Sequence, residues 1–275
     1  MAAFLLSSCT KNSIPPGLDP DEIGKYCRID TFNLGSPPSY FQQMQVTYNS
    51  AGDPIQILPL TSYSYGNAFD IEYFRYDSRG RLVDLLHVYP SFPFGIGDID
   101  LWSRYTYPAP NVIVDSFINY DGPGIPPVDN PPPTSGPTTV YRYTLDQQGR
   151  TIKTDFQEGY NGTVSYTGSF TTTYDRNGNA VIAGAIYDDK INIYRTSRVW
   201  QLVNQDYSLN NRIYPAKSPY PASNFSYNKW GLPSVFVATP VYQILPFFGF
   251  IDNNNNIYMA ISYSCDQTPP PGSAK

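Results

Sequence analysis

Charge is scarce in this sequence, and histidine is scarcer. Lys, Arg, Asp and Glu make up 15% of the 275 residues, and His87 is the only histidine. One histidine excludes zinc sites that need two or more, and Cys9, Cys27 and Cys265 have no C-x-x-C spacing. A Ser-His-Asp triad would have to use His87, which stands mid-strand in Leu85-Leu86-His87-Val88-Tyr89, and no Gly-x-Ser-x-Gly elbow occurs. Phosphate-loop and dinucleotide fingerprints are missing, so no cofactor is expected. Lys and Arg nowhere cluster and the net charge is −5, which argues against a nucleic-acid partner. No apolar run approaches the roughly 18 residues of a membrane-spanning helix.

What the chain does have is tyrosine, phenylalanine, proline and glycine: 25, 15, 27 and 20 residues respectively. Aromatics suit half-buried pleated surfaces. Proline spread along the chain interrupts helices of ordinary length. The expected fold is therefore all-β.

A five-fold turn signal sharpens this. Asp or Asn at the first position of a type I turn bonds the turn backbone, and Gly at the fourth accepts positive φ. The template [Asp/Asn]-x-x-Gly occurs at Asn49–Gly52, Asp77–Gly80, Asp146–Gly149, Asp175–Gly178 and Asn228–Gly231. Tyr48, Tyr76, Tyr174 and Tyr227 directly precede four of the copies. Asp252–Asn255 is a degenerate copy, and Asn161-Gly162 reads as a two-residue hairpin turn. Gly52, Gly80, Gly149, Gly178 and Gly231 are thus the expected hairpin-turn residues. The form Tyr-Asp-x-x-Gly-Arg-Leu at Tyr76–Leu82 resembles the YD-type repeats of bacterial Rhs-like surface proteins. It is also similar to hairpins of uncharacterised Bacteroidetes-type lipoproteins. The spacing is irregular, so the resemblance implies stacked hairpins in an antiparallel meander, forming a large curled sheet or barrel-like structure. It transfers no toxin or shell function.

The N-terminus, Met1-Ala2-Ala3-Phe4-Leu5-Leu6-Ser7-Ser8-Cys9, resembles the lipobox of bacterial lipoproteins. The resemblance implies cleavage after Ser8 and lipidation of Cys9, with the membrane as partner. The segment departs from the pattern in having no Lys or Arg before Cys9 and only Ala2 to Leu6 apolar, which fits a start upstream of Met1. Anchoring would place the chain outside the cytoplasm, in the cell envelope at the outer membrane, where disulfides survive. Cys27 then stands at the first expected strand and Cys265 ends the last, each on an apolar face. A Cys27–Cys265 bridge would staple the two ends; the alternative is two separate buried thiols.

The expected layout is a signal remnant over 1–9, a flexible tether over 10–23, one all-β domain over 24–266 and a disordered tail over 267–275. A Pro-rich loop falls at 121–137. Strands are expected near 25–33, 41–48, 54–60, 68–76, 81–89, 101–107, 111–120, 138–145, 150–158, 163–174, 179–187, 190–203, 206–215, 222–227, 234–243, 246–251 and 256–265.

Binding candidates are few. Trp230 occupies a turn tip, where a bulky ring would meet glycan, lipid headgroup or partner protein; the alternative is that it folds over a neighbouring hairpin. Asp98, Asp100, Asp188 and Asp189 read as loop or turn acids, and Asp19–Glu22 as solvated tether. The leading expectation is a non-enzymatic envelope lipoprotein that binds a glycan or an envelope protein, or serves a structural role. The alternatives are a carboxylate-dependent hydrolase, which needs two acids facing one cleft, and an outer-membrane pore-like barrel.

Overall fold

The computed structural model describes residues 23–34, 42–60, 71–91, 95–123, 136–213, 224–238 and 257–266. In chain order these form a one-turn helix α1 (Ile23–Tyr26) and the strands β1 (Ile29–Leu34), β2 (Gln42–Tyr48), β3 (Pro54–Pro59), β4 (Ile71–Tyr76) and β5 (Leu82–Ser91). There follow β6 (Gly95–Ala109), β7 (Val112–Pro123), β8 (Pro137–Leu145), β9 (Thr151–Tyr160), β10 (Thr163–Thr171) and β11 (Ile186–Ile191). A 3₁₀ turn (Ile193–Thr196) and the helix α2 (Arg198–Asn204) precede β12 (Asn210–Ile213), β13 (Asn224–Tyr227), β14 (Pro233–Ala238) and β15 (Ile257–Tyr263).

Thirteen strands make one antiparallel sheet in the order β10-β9-β8-β7-β6-β5-β4-β3-β2-β1-β15-β14-β13, and β11 pairs with β12 apart from it. The fold is an all-β curled meander. Sequential hairpins build one long arm. The chain's last strands then join the other side of β1, where Phe32 pairs with Ile261 and Leu34 with Met259.

Four of the five turns join paired strands, while the fifth, Asp175–Gly178, closes only an isolated bridge between Tyr174 and Ala180, so the expected strand over 179–187 begins only at Ile186. Gly52, Gly80, Gly149, Gly178 and Gly231 all stand at positive φ, between +73° and +93°. In each turn the glycine N–H donates to the carbonyl of the opening Asp or Asn. The opening side chain pins the rest: Asp77 Oδ1 accepts from the N–H of Arg79 and of Arg81, and Asp146 Oδ1 from Gln148 and Arg150. Asp175 and Asn228 repeat the pattern with Asn177, Asn179, Trp230 and Leu232. Register shifts follow at Thr47/Tyr48, Arg75/Tyr76, Thr144/Leu145 and Ser226/Tyr227, the one-residue bulge that this turn type introduces.

Tyrosine joins one hairpin to the next. Tyr76 donates its hydroxyl proton to the Pro54 carbonyl, Tyr107 to Leu82, Tyr174 to Thr151 and Tyr263 to Pro233. Each acceptor directly follows a turn, so each tyrosine reaches the base of a neighbouring tip. Tyr48 does the same to Ile29 at the sheet's start. Arg81 lies over the Tyr107 ring at 4.4 Å and Arg150 over Tyr174 at 4.0 Å, while each Arg also pairs with the Asp of its own turn.

One face of the sheet wraps around the helical segment. Trp200 of α2 meets Phe74 of β4 edge-to-face at 5.4 Å. A single buried cluster joins Trp200, Val199 and Leu202 to Ile29, Met44, Ile57, Leu85, Tyr105, Ile113 and Tyr143, from seven strands. The sheet curls so that these strands and α2 share one continuous core. Gly24 of α1 sits so close to the Thr196 carbonyl that a Cβ there would lie 2.3 Å from its oxygen. Coverage fades along the arm: β5 is buried on both faces from Asp84 to Val88, whereas eight of the nine residues of β10 are exposed.

The expectation of a strand over 190–203 is overturned. Asn192 caps the 3₁₀ turn by accepting from Tyr194 N–H, and Ser197 caps α2 by accepting from Val199 N–H. Val199, Trp200 and Leu202 then face the core at helical spacing. The strand-like look came from Val199, Val203 and Trp200, types that favour strands until a cap and a buried stripe override them. Ile23, placed in the tether by its position, opens α1 and is fully buried.

The tyrosine contacts make a prediction. Tyr76→Phe strands the Pro54 carbonyl and lowers unfolding free energy by about 1 kcal/mol, whereas Tyr166→Phe on the exposed β10 changes it by less than about 0.5 kcal/mol. Urea denaturation followed by tryptophan fluorescence measures both.

Candidate functional site

The Asp- and Asn-led turns share one rim of the sheet, as alternate connections of a meander must. Against this rim α2 lies as a lid, and between them is a cleft of about 700 Å³. That volume lies within the range of small-molecule sites. Ile113, Leu145, Leu202 and Leu209 supply apolar walls, and Tyr107 and Tyr207 supply rings. Gln148 and Gln201 offer amides. Three guanidinium groups line the same cleft: Arg150 from a turn, Arg195 from the 3₁₀ turn and Arg198 from α2. No Asp or Glu is among the lining residues.

Each charge is positioned by a local cause. Arg150 Nε donates to Asp146 Oδ2 at 2.8 Å, and the guanidinium rests on Tyr174. Burial pushes the Asp146 carboxyl up, but the Arg150 N–H, the Arg150 guanidinium and the Gln148 N–H bring it below the usual carboxylate range. Arg195 and Arg198 flank Ser197, which ends the 3₁₀ turn and caps α2. Arg198 is exposed. Burial raises the Tyr207 phenol to about 12, with bonds to Thr151 and Gln205 holding it back.

A second polar group lies on the face that α2 covers. Glu72 pairs with His87 across β4 and β5, Leu85 with Ser103, and Tyr105 with Asp115. All except Leu85 and Tyr105 are polar, and all six are buried. Burial drives the His87 pKa down to about 3, so the ring stays neutral near pH 7, and its Nδ1 lies 3.5 Å from Glu72 Oε1. Burial drives Asp115 up to about 7, against the opposing pull of a Ser103 hydrogen bond. On the opposite face Asp84 is also fully buried, but Arg75, Arg104 and the Trp102 indole N–H all bond its carboxylate.

The sequence-marked residues fall as follows. Cys27 and Cys265 form a disulfide with Cα atoms 4.8 Å apart, fastening α1 and β1 to the end of β15. Cys9, Asp19–Glu22, Asp252–Asn255 and the strand near 246–251 lie outside the described residues. Trp230 is corrected: it is buried, and its indole N–H donates to the Cys265 carbonyl. Asn228 and Lys229 bond Asp266 beside it, so this tip folds onto the disulfide instead of facing solvent. Asp98 and Asp100 lie within β6, Asp98 paired with Pro123 of β7, not in a loop. Asp188 lies in β11 and accepts from the Asn211 N–H, the Asn211 side-chain amide and the Tyr227 hydroxyl. That network keeps it structural. Among the described residues, no three metal-ligating side chains come together.

The cleft itself escaped the sequence. Its residues come from β6, β7 and the turn between them, β8, the 146–150 and 175–179 turns, the 3₁₀ turn, α2 and the segment before β12, so no local motif marks them. The one available signal was Ser197 before Arg198, a helix cap inside a stretch rich in strand-forming residues.

No family model matches the chain, and no curated protein matches it. Among solved structures, a porin-like protein from Bacteroides vulgatus aligns with 86% of this chain and 98% of its own, at a TM-score of 0.39 and 13% identity. A porin-like protein from Bacteroides uniformis aligns with 85% and 96%, at 0.29 and 10%. Likeness at these scores does not extend to a shared fold or activity.

Asp115 and His87 have opposite effects on stability. Asp115 titrates near 3.8 when unfolded and near 7 when folded, so the folded state holds the extra proton between those values. Its contribution therefore falls as pH rises through that window. His87, with its folded pKa depressed from 6.5, contributes stability that is lost as pH drops below 6.5. Asp115→Asn is therefore expected to melt higher than the parent at pH 8, with the difference closing towards pH 4. Thermal unfolding at the two pH values checks this.

Proposed function

We propose that the chain is a non-catalytic lipoprotein of the cell envelope that binds a glycan in the cleft beneath α2. The cleft carries this reading. Tyr107, half-buried with Arg81 over one face, and the walls of Ile113, Leu145, Leu202 and Leu209 suit the apolar side of a sugar, while amides at Gln148 and Gln201 suit its hydroxyls. The lining offers no carboxylate, so hydrolysis by two facing acids has no acid there. Support for the envelope is the Cys27–Cys265 disulfide, which an oxidising compartment preserves, together with the lipobox-like segment ending at Cys9.

A second reading, an outer-membrane pore-like barrel, draws on one observation. Short turns share one rim, at 49–53, 77–81, 146–150 and 228–232. Membrane barrels likewise gather short turns at one end. Against it stands the side-chain distribution. The face turned from α2 carries Arg75, Asp84, Arg104, Arg142 and Asp155, cross-strand partners that would meet lipid in a barrel enclosing α2.

Two measurements test the proposal. Expressed in a bacterial host with an export signal, the protein is expected in the membrane fraction and Cys9→Ser in the soluble fraction; equal partition of the two removes the anchor. On a glycan array the parent is expected to retain specific sugars and Gln201→Trp, which fills the cleft, to lose them. No retained glycan, or retention that Gln201→Trp leaves intact, overturns the binding reading. Conductance steps from the purified protein in planar bilayers would favour the barrel instead.

A further inference from the structure

We infer that the ligand of the α2 cleft is an acidic sugar, one whose ring bears a carboxylate or a sulfate; this rests on the glycan reading above. The chain as a whole is acidic, with 23 Asp and Glu against 18 Lys and Arg. The cleft inverts that balance, with Arg150, Arg195 and Arg198 on its walls and no acid among its lining residues. A local field of opposite sign to the whole protein selects and steers anions.

Arginine also fits the chemistry. Its planar fork meets carboxylate and sulfate oxygens through paired N–H donors, a geometry lysine lacks. The three arginines have different tasks. Arg150 is held by Asp146 and stacked on Tyr174, so its charge is largely compensated and it shapes the wall more than it attracts anions. Arg198 is exposed on the first turn of α2, and Arg195 stands at the last turn of the preceding 3₁₀ segment. Arg198 therefore borders the α2 side of the cleft, where an anionic substituent would meet it while its ring lies towards Tyr107 and the apolar walls. An inorganic anion would use the arginines alone and leave the rings and the apolar walls without a partner. An acidic sugar uses all of them.

The test compares oligosaccharides that differ only in the anion. The panel is hexuronate oligomers, their methyl esters, sulfated hexosamine oligomers and their desulfated forms, each titrated calorimetrically into the full chain. Gln201→Trp, Arg198→Glu and Arg198→Lys are titrated beside it, with melting temperature as the control for folding. The expected result is that at least one acidic member binds about tenfold or more tightly than its neutral counterpart. Arg198→Glu should remove that preference, and Arg198→Lys should restore only part of it. Affinity that is equal for acid and ester, yet lost in Gln201→Trp, overturns the acidic preference and leaves the glycan reading standing. Binding of free sulfate as tight as that of any sulfated sugar overturns the sugar requirement. No binding by any member overturns both.

Discussion

One polar contact organises this chain: the opening side chain of each turn, Asp or Asn, accepts the N–H four residues ahead, and in four of the five turns the one two residues ahead as well. It fixes a tight tip with a glycine at positive φ and a bulge behind it. The bulge sets where the next strand's tyrosine falls, and the tyrosine hydroxyl reaches the carbonyl just past a neighbouring tip. Hydrophobic burial alone would not specify this register, because strands such as β8 and β9 bury few residues: Tyr143 in one, Thr151 and Thr154 in the other. The tips carry the pairing where the core thins out.

The curled shape has a different cause. A flat antiparallel sheet would expose Phe74, Leu85 and Tyr105, and the chain supplies α2 and the 3₁₀ turn to cover them. The disulfide and the buried Trp230 fasten the sheet where its first and last strands pair. The cleft is a by-product of this arrangement: α2 is anchored on the sheet through Trp200, and the rim of turns stands beside it with a gap between.

Local rules made the tips readable from the sequence. Asp77-Ser78-Arg79-Gly80 states its own conformation within four residues, and the same is true of its four relatives. The closing bridge was readable because only two cysteines remained once Cys9 was set aside. The cleft was not readable, because Tyr107, Arg150, Arg198 and Tyr207 become neighbours only when the segment after β10 folds back on the rim. Residues 190–203 misled for a related reason: their β-branched and aromatic side chains suit a strand, and only the caps at Asn192 and Ser197 argue otherwise. Trp230 looked exposed because a tip is usually wet. What buries it is the Cys265–Asp266 segment, thirty-five residues away in the chain.

Amide hydrogen exchange at the tips tests the central claim most directly. The N–H groups of Arg81, Arg150, Asn179 and Leu232 each point at the opening side chain of their turn. They are expected to exchange as slowly as the strand amides beside them, and the result is decisive at Arg81 and Arg150, which are part-exposed, whereas Asn179 and Leu232 are buried in any case. Exchange at the rate of free peptide, with the neighbouring strands still protected, would mean that the tips do not hold the sheet together.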